Sequence, residues 1–226
     1  MKNIKFAVLF FVIFLIVSCT SRQSAFQKNM VSSEDPIQIL ELLKQGNDHF
    51  VHHENCFPNL DKKRMLEEVR EQHPIATIVS CSDSRVPVEL VFDRGIGDLF
   101  VIRTAGNSLD DDMTMGSLEY GVGHLHTKLI IVVGHEKCGG VTAAISDESE
   151  ENVPKEIAGL LATLRKGVYS FVGKTDKLEE AIHQNVDYQI QKISQNPEFK
   201  ELIDRGELKV VGAYYHLEDG RIDFLN

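Results

Sequence analysis

The sequence contains no tryptophan, and only four of its 226 residues are cysteine: Cys19, Cys56, Cys81 and Cys138. Four thiols are too few for a disulfide scaffold of this size. No C-x-x-C pair is present either, which argues against a thiol–disulfide exchange protein. Cationic runs are missing as well. Formal charge is −10, from 24 Lys and Arg against 34 Asp and Glu, and no basic stretch offsets it. This argues against a nucleic-acid or anionic-lipid surface, since such binding needs cations that neutralise phosphate. Gly95-Ile96-Gly97 lacks the third glycine and the following helix of a dinucleotide loop. Internal repeats and low-complexity tracts are absent too. What remains, 42% apolar and 26% charged residues, is the composition of a globular protein. The length suits one large domain.

The N-terminus reads differently from the rest. Lys2 and Lys5 precede an unbroken apolar run from Phe6 to Val17, followed by Ser18-Cys19-Thr20-Ser21. A positive n-region, a short h-region and a small residue before the cut make a secretory signal. The run falls short of the roughly 20 apolar residues that a membrane-spanning helix needs. Ile16-Val17-Ser18-Cys19 also resembles a bacterial lipobox, in which the cysteine becomes the lipidated first residue. The expected organisation is a lipoprotein-type signal over 1–18, lipidation at Cys19, a polar tether over 19–33 and one domain over 34–226. Export to the periplasm or cell surface follows, with membrane contact only through the anchor. A plain signal peptide, or an N-terminal anchor helix with an incidental Cys19, stays open.

From Asp35 onward strands alternate with helices. Apolar spacing predicts helices over 36–53, 61–72, 113–125, 153–165 and 177–193, the second closed by Pro74. Continuous apolar runs at 75–80, 99–102 and 129–133 predict strands buried on both faces. Lys209–Tyr215 reads as a last central strand, and Gly220 turns the chain into a short closing strand, Arg221–Phe224. Buried strands separated by helices imply an α/β fold centred on a parallel sheet.

Chemistry-bearing residues cluster after two of these strands. Cys81-Ser82-Asp83-Ser84-Arg85 follows the first, and Gly134-His135-Glu136-Lys137-Cys138-Gly139-Gly140 follows the 129–133 strand. In open α/β sheets the carboxyl ends of parallel strands form the ligand crevice. Two thiolates and an imidazole are a zinc donor set, and three protein ligands leave a fourth position open, as catalytic sites do. A Cys81–Cys138 disulfide in an exported protein is the bland alternative, and it leaves Asp83, Arg85 and His135 unexplained. A zinc protein without catalysis would keep the three ligands but have no need of Asp83 and Arg85.

Together these two segments resemble the signature pair of the β-class carbonic anhydrases. Gly97-Asp98-Leu99-Phe100-Val101-Ile102-Arg103-x-Ala105-Gly106-Asn107 and Ser117-Leu118-Glu119-Tyr120 match that family too. The likeness runs from about Ile37 to Phe224. It implies a mostly parallel four-stranded sheet with an antiparallel edge strand, flanked by helices, in homodimers or dimer-based higher oligomers. The implied reaction is reversible hydration of carbon dioxide to bicarbonate and a proton, by attack of zinc-bound hydroxide. One zinc per chain is implied on Cys81, His135 and Cys138. Asp83 and Arg85 match the catalytic dyad, in which the arginine holds the carboxylate as acceptor of the hydroxide proton. Gly139 matches the backbone donor to substrate, Gln72 a glutamine that hydrogen-bonds substrate, and Phe100 and Tyr120 aromatics that narrow the channel.

Other features read as structural. His49, His52 and His53 form a solvated helix face, and Cys56 is a spare thiol in a polar stretch. Asp110-Asp111-Asp112 caps the helix it precedes.

Overall fold

Runs such as Leu129-Ile130-Ile131-Val132-Val133 have branched, apolar side chains that suit a pleated surface covered on both sides. In the computed structural model, which describes residues 35–146 and 153–225, these runs form the middle of one five-stranded sheet. Its strands are β1 (Ala76–Cys81), β2 (Leu99–Thr104), β3 (Leu129–His135), β4 (Lys209–Tyr215) and β5 (Ile222–Leu225), in the order β2-β1-β3-β4-β5. The first four are parallel, and β5 runs antiparallel along β4. The sheet thus has one strand more than the four-stranded arrangement implied by the resemblance, with the antiparallel strand at the edge as expected.

Eight α-helices of four residues or more flank the sheet among the described residues. They are α1 (Pro36–Val51), α2 (Lys62–Glu67), α3 (Val88–Val91), α4 (Asp112–Glu119), α5 (Gly139–Ile145), α6 (Lys155–Val168), α7 (Leu178–Gln195) and α8 (Pro197–Asp204). Alternation along the strands divides the core. Ala76, Ile78, Ile131 and Val133 point to the face covered by α1 and α3, where Leu43, Val88 and Phe92 are buried. Val79, Ile130 and Val132 point to the other face, against Leu118, Val186 and Phe199. There α7 comes so close that a Cβ on Gly134 would lie 2.7 Å from Val186 Cγ2. Gly134 is therefore what lets the strand that carries His135 pack directly under α7.

Buried polar ties fix the first layer. Asn47 of α1 donates to the carbonyls of Val91 and Gly220, and accepts from the Ile222 amide at 2.8 Å. His49 departs from the solvated face expected of it: its Nδ1 lies 3.1 Å from the buried Asp93 carboxylate, which also accepts from the backbone of Cys56 and Phe57. The helix expected over 61–72 ends at Glu67. Glu68 instead bends back to accept from the His73 amide, and Pro74 bars helical geometry just before it. In the acidic triplet the cap is Asp111, whose carboxylate accepts from the Met113 and Thr114 amides, whereas Asp110 pairs with Lys192. Among the described residues no helix is long and apolar enough to cross a membrane. The expected signal, Cys19 and the tether lie outside the described residues.

Candidate metal centre

Cys81 is the last residue of β1 and His135 the last of β3. Pairing of Ser80 with Val133 brings both to one edge of the sheet. That edge sits where strand order reverses, because β2 and β3 lie on opposite sides of β1, the place where open α/β sheets leave a crevice. Cys138 follows three residues after His135 and caps the start of α5. One ligand atom from each of these residues lies within 4.8 Å of the other two. All three are buried, at 5%, 0% and 1% exposure for Cys81, His135 and Cys138. No other group of three or more His, Cys, Asp or Glu is so placed among the described residues.

The protonation pattern suits a cation. His135 Nδ1 stands 2.9 Å from the Glu136 carbonyl, which fixes the proton there and leaves a lone pair on Nε2. That Nε2 is buried without a hydrogen-bond partner, an arrangement that costs free energy unless something accepts the lone pair. Cys81 Sγ and Cys138 Sγ are 4.0 Å apart. The hydrogen bond with Cys138 is the main cause that lowers the Cys81 thiol, helped by the Gly106 amide 3.3 Å from the sulfur, against the effect of burial. The same bond, with burial, pushes Cys138 up. Metal binding takes the thiols as thiolates and releases their protons. Two sulfurs and an imidazole lone pair are the donors zinc takes, so the residues fit that metal.

Beside this trio, Asp83 and Arg85 form a bidentate pair. Arg85 Nε donates to Asp83 Oδ1 at 2.9 Å and Arg85 Nη2 to Oδ2 at 2.7 Å, while the Arg85 backbone amide adds a third bond. The guanidinium, more than any other group, holds the Asp83 carboxyl well below the usual carboxylate range. Asp83 Oδ2 is 3.9 Å from His135 Nε2, so the ionised carboxylate borders the trio without filling its place. Arg103, to which the sequence reading gave no role, steadies both halves: it donates to the Cys81 carbonyl at 3.0 Å and to the Asp83 carbonyl at 2.5 Å. Its signals in the sequence were its charge within a mostly apolar strand and its place in the Gly97–Asn107 segment that resembles the family.

Gly139 opens α5 next to Cys138, and a Cβ there would meet nothing within 4 Å. The remaining expected site residues lie apart from the trio. Phe100 pairs with Thr77, four residues before Cys81, about 13 Å along the strand at the usual rise. Its ring is 6.0 Å from that of Tyr120. Tyr120 and Gln72 line a surface groove of about 520 Å³ together with His73, His124 and His126. Within one chain these three residues form a separate patch.

The sequence profile of the family described as "Carbonic anhydrase" matches residues 76–222, which contain the trio and the dyad. A carbonic anhydrase of Mycolicibacterium smegmatis is 32% identical over 197 residues, covering 84% of this chain and 94% of that protein. Carbonic anhydrase 2 of Mycobacterium tuberculosis is 34% identical over 193 residues, covering 83% and 91%. Among solved structures, a β-carbonic anhydrase of Sordaria macrospora, described as tetrameric, superposes with a TM-score of 0.65 at 29% identity over 72% of this chain and 85% of that one. A Coccomyxa β-carbonic anhydrase bound to acetazolamide gives 0.64 at 25% identity over 85% and 87%. With its fold, its Cys-His-Cys trio and these likenesses, the chain belongs to the β-class carbonic anhydrases.

Proposed function

We propose that the chain hydrates carbon dioxide reversibly to bicarbonate and a proton, with one zinc ion per chain held by Cys81, His135 and Cys138. The observation that carries this reading is the unpartnered Nε2 of His135, buried between two thiols, with an ionised carboxylate at its edge. Zinc bound there supplies a Lewis acid that brings the pKa of water down to about 7. Asp83 is the acceptor: its carboxylate takes a hydrogen bond from the attacking oxygen and turns that oxygen's lone pair towards carbon. Arg85 keeps Asp83 ionised and fixes its direction, so that the carboxylate does not itself become a ligand. The Gly139 amide, free at the start of α5, donates to the substrate oxygen.

Gln72, Phe100 and Tyr120 act as pocket residues across a contact between two copies, since they lie away from the trio of their own chain. Met65, Leu66 and Val69, exposed at 54%, 64% and 72% beside Gln72, give a second copy an apolar surface to cover. A homodimer or dimer-based oligomer is the assembly this supports. Export, and anchoring through a lipid on Cys19, rest on the sequence of the first residues. Zinc analysis beside stopped-flow carbon dioxide hydration tests the central claim. The expected result is one zinc per chain with activity, both lost in Cys138→Ser. Full zinc occupancy in a Cys81→Ser/Cys138→Ser double variant would refute the ligand assignment.

A further inference from the structure

Two of the primary amides on helix α7 are buried beside apolar residues of the same helix such as Ile182, Val186 and Ile193. Asn185 and Gln189 are both 0% exposed, and they serve a turn 79 and 80 residues earlier in the chain. Gln189 Oε1 accepts from the Leu109 amide at 3.1 Å, Gln189 Nε2 donates to Asn185 Oδ1 at 3.3 Å, and Asn185 Nδ2 donates to the Gly106 carbonyl at 2.9 Å. The orientation of both amides is forced. A backbone N–H at Leu109 demands the Gln189 oxygen, which turns the Gln189 nitrogen to Asn185 and leaves the Asn185 nitrogen for the carbonyl of Gly106.

The residue so gripped is the one whose N–H lies 3.3 Å from Cys81 Sγ. Gly106 has a left-handed backbone, φ 66°, and a Cβ there would fall 2.7 Å from Leu164 Cδ2. Glycine admits that left-handed backbone without restricting it to one geometry, so an outside hold on the carbonyl helps to fix where the N–H of the same residue points. A hydrogen bond to a thiolate draws charge off the sulfur, and such partners of a ligand tune how tightly the metal is held.

We propose that Asn185 and Gln189 are positioning residues of the metal centre, which clamp the 105–109 turn so that the Gly106 amide stays on the Cys81 sulfur. The proposal rests on the reading of the trio as a metal site. The probe is cobalt(II), added to the full chain, whose thiolate-to-cobalt charge-transfer band reports on the sulfur and whose affinity is read by competition with a chelator. Asn185→Asp keeps the acceptor for Gln189 and loses the donor to Gly106. It is expected to shift the band and to weaken cobalt binding at least about 10-fold. Asn47→Leu, which removes a buried amide of the α1 layer, is expected to lower the melting temperature with band and affinity unchanged. A folded Asn185→Asp variant with the parental band and affinity would overturn the proposal. A parent with no thiolate band at all would overturn the metal-site reading instead. Should the aspartate variant not fold, the cadmium-loaded parent decides: scalar coupling between the metal nucleus and the Gly106 amide proton is expected, and its absence sinks the clamp.

Discussion

Replacing Gly106 by alanine combines two costs that the structure separates. The first is conformational, because a left-handed residue with a Cβ is disfavoured by about 1–2 kcal/mol, and Gly106 sits at φ 66°. The second is steric. The new methyl would meet Leu164 Cδ2 at 2.7 Å and Cδ1 at 3.0 Å, and Leu164 is only 1% exposed, so it has little room to swing away. Overpacking of that kind costs about 1–3 kcal/mol. Together they come to about 2–5 kcal/mol, which lowers the melting temperature of a domain this size by about 4–20 °C. Thermal unfolding of the metal-free protein, followed by circular dichroism, is the assay, since bound metal would add its own contribution. Leu164→Val withdraws both colliding Cδ methyls and should couple to the glycine change, the double variant being more stable than the sum of the singles by about 1 kcal/mol. An alanine variant that melts within a degree or two of the parent would refute the reasoning. Strict additivity of the two changes would remove the steric half of it.

Asp83→Asn should retain its zinc and lose the acceptor that orients the nucleophile, lowering kcat by about 10²-fold or more; stopped-flow rates near the parent's would make the dyad merely structural. Arg85→Ala should also keep its zinc but lose most turnover, with the deficit deepening as pH falls from about 8.5 towards 7, where a released carboxylate competes best for the metal. In stability the sign is fixed by the depressed Asp83 carboxyl, whose first cause is Arg85. Its contribution is fully present above the unfolded carboxyl value of about 3.9 and fades as pH drops further. Urea unfolding of the metal-free protein should therefore show a parent-to-Arg85→Ala gap that is constant down to about pH 5 and narrows below about pH 4. A gap that widens on acidification would contradict the pairing. The native protein should partition with membranes while a chain begun at Ser32 stays in solution and active, and a freely soluble native protein with unmodified Cys19 would dispose of the anchor.

The sheet was largely readable because each central strand is a run of branched apolar residues, and β1 and β3 end in side chains, Cys81 and His135, that can ligate a metal. From that ending alone Cys81, His135 and Cys138 could be brought to one edge. Arg103, Asn185 and Gln189 could not be placed in the same way. Their partners are the backbone of residues 81–109, and a polar side chain in a helix such as α7 looks alike whether it meets water or a distant carbonyl. Helix α2 failed for a related reason. Its apolar spacing continued through Val69, but those side chains face outward, so periodicity reported a surface rather than a core. The distance of Phe100 from the trio follows from strand register, and the contact between copies proposed for Gln72 involves a second chain; apolar patterning reports neither.

The two sulfurs lie on different pieces of the molecule, Cys81 at the end of a central strand and Cys138 at the head of a helix 57 residues later. A cation gripped by both is therefore a staple as well as a reagent. Closing a loop of that length restricts the unfolded chain by about 4 kcal/mol on a chain-entropy count, a large fraction of the 5–15 kcal/mol that holds a typical domain together. Stripping the metal should then do more than silence the enzyme: it should loosen the seam between β1 and α5, and the apoprotein should be the form that proteases find first.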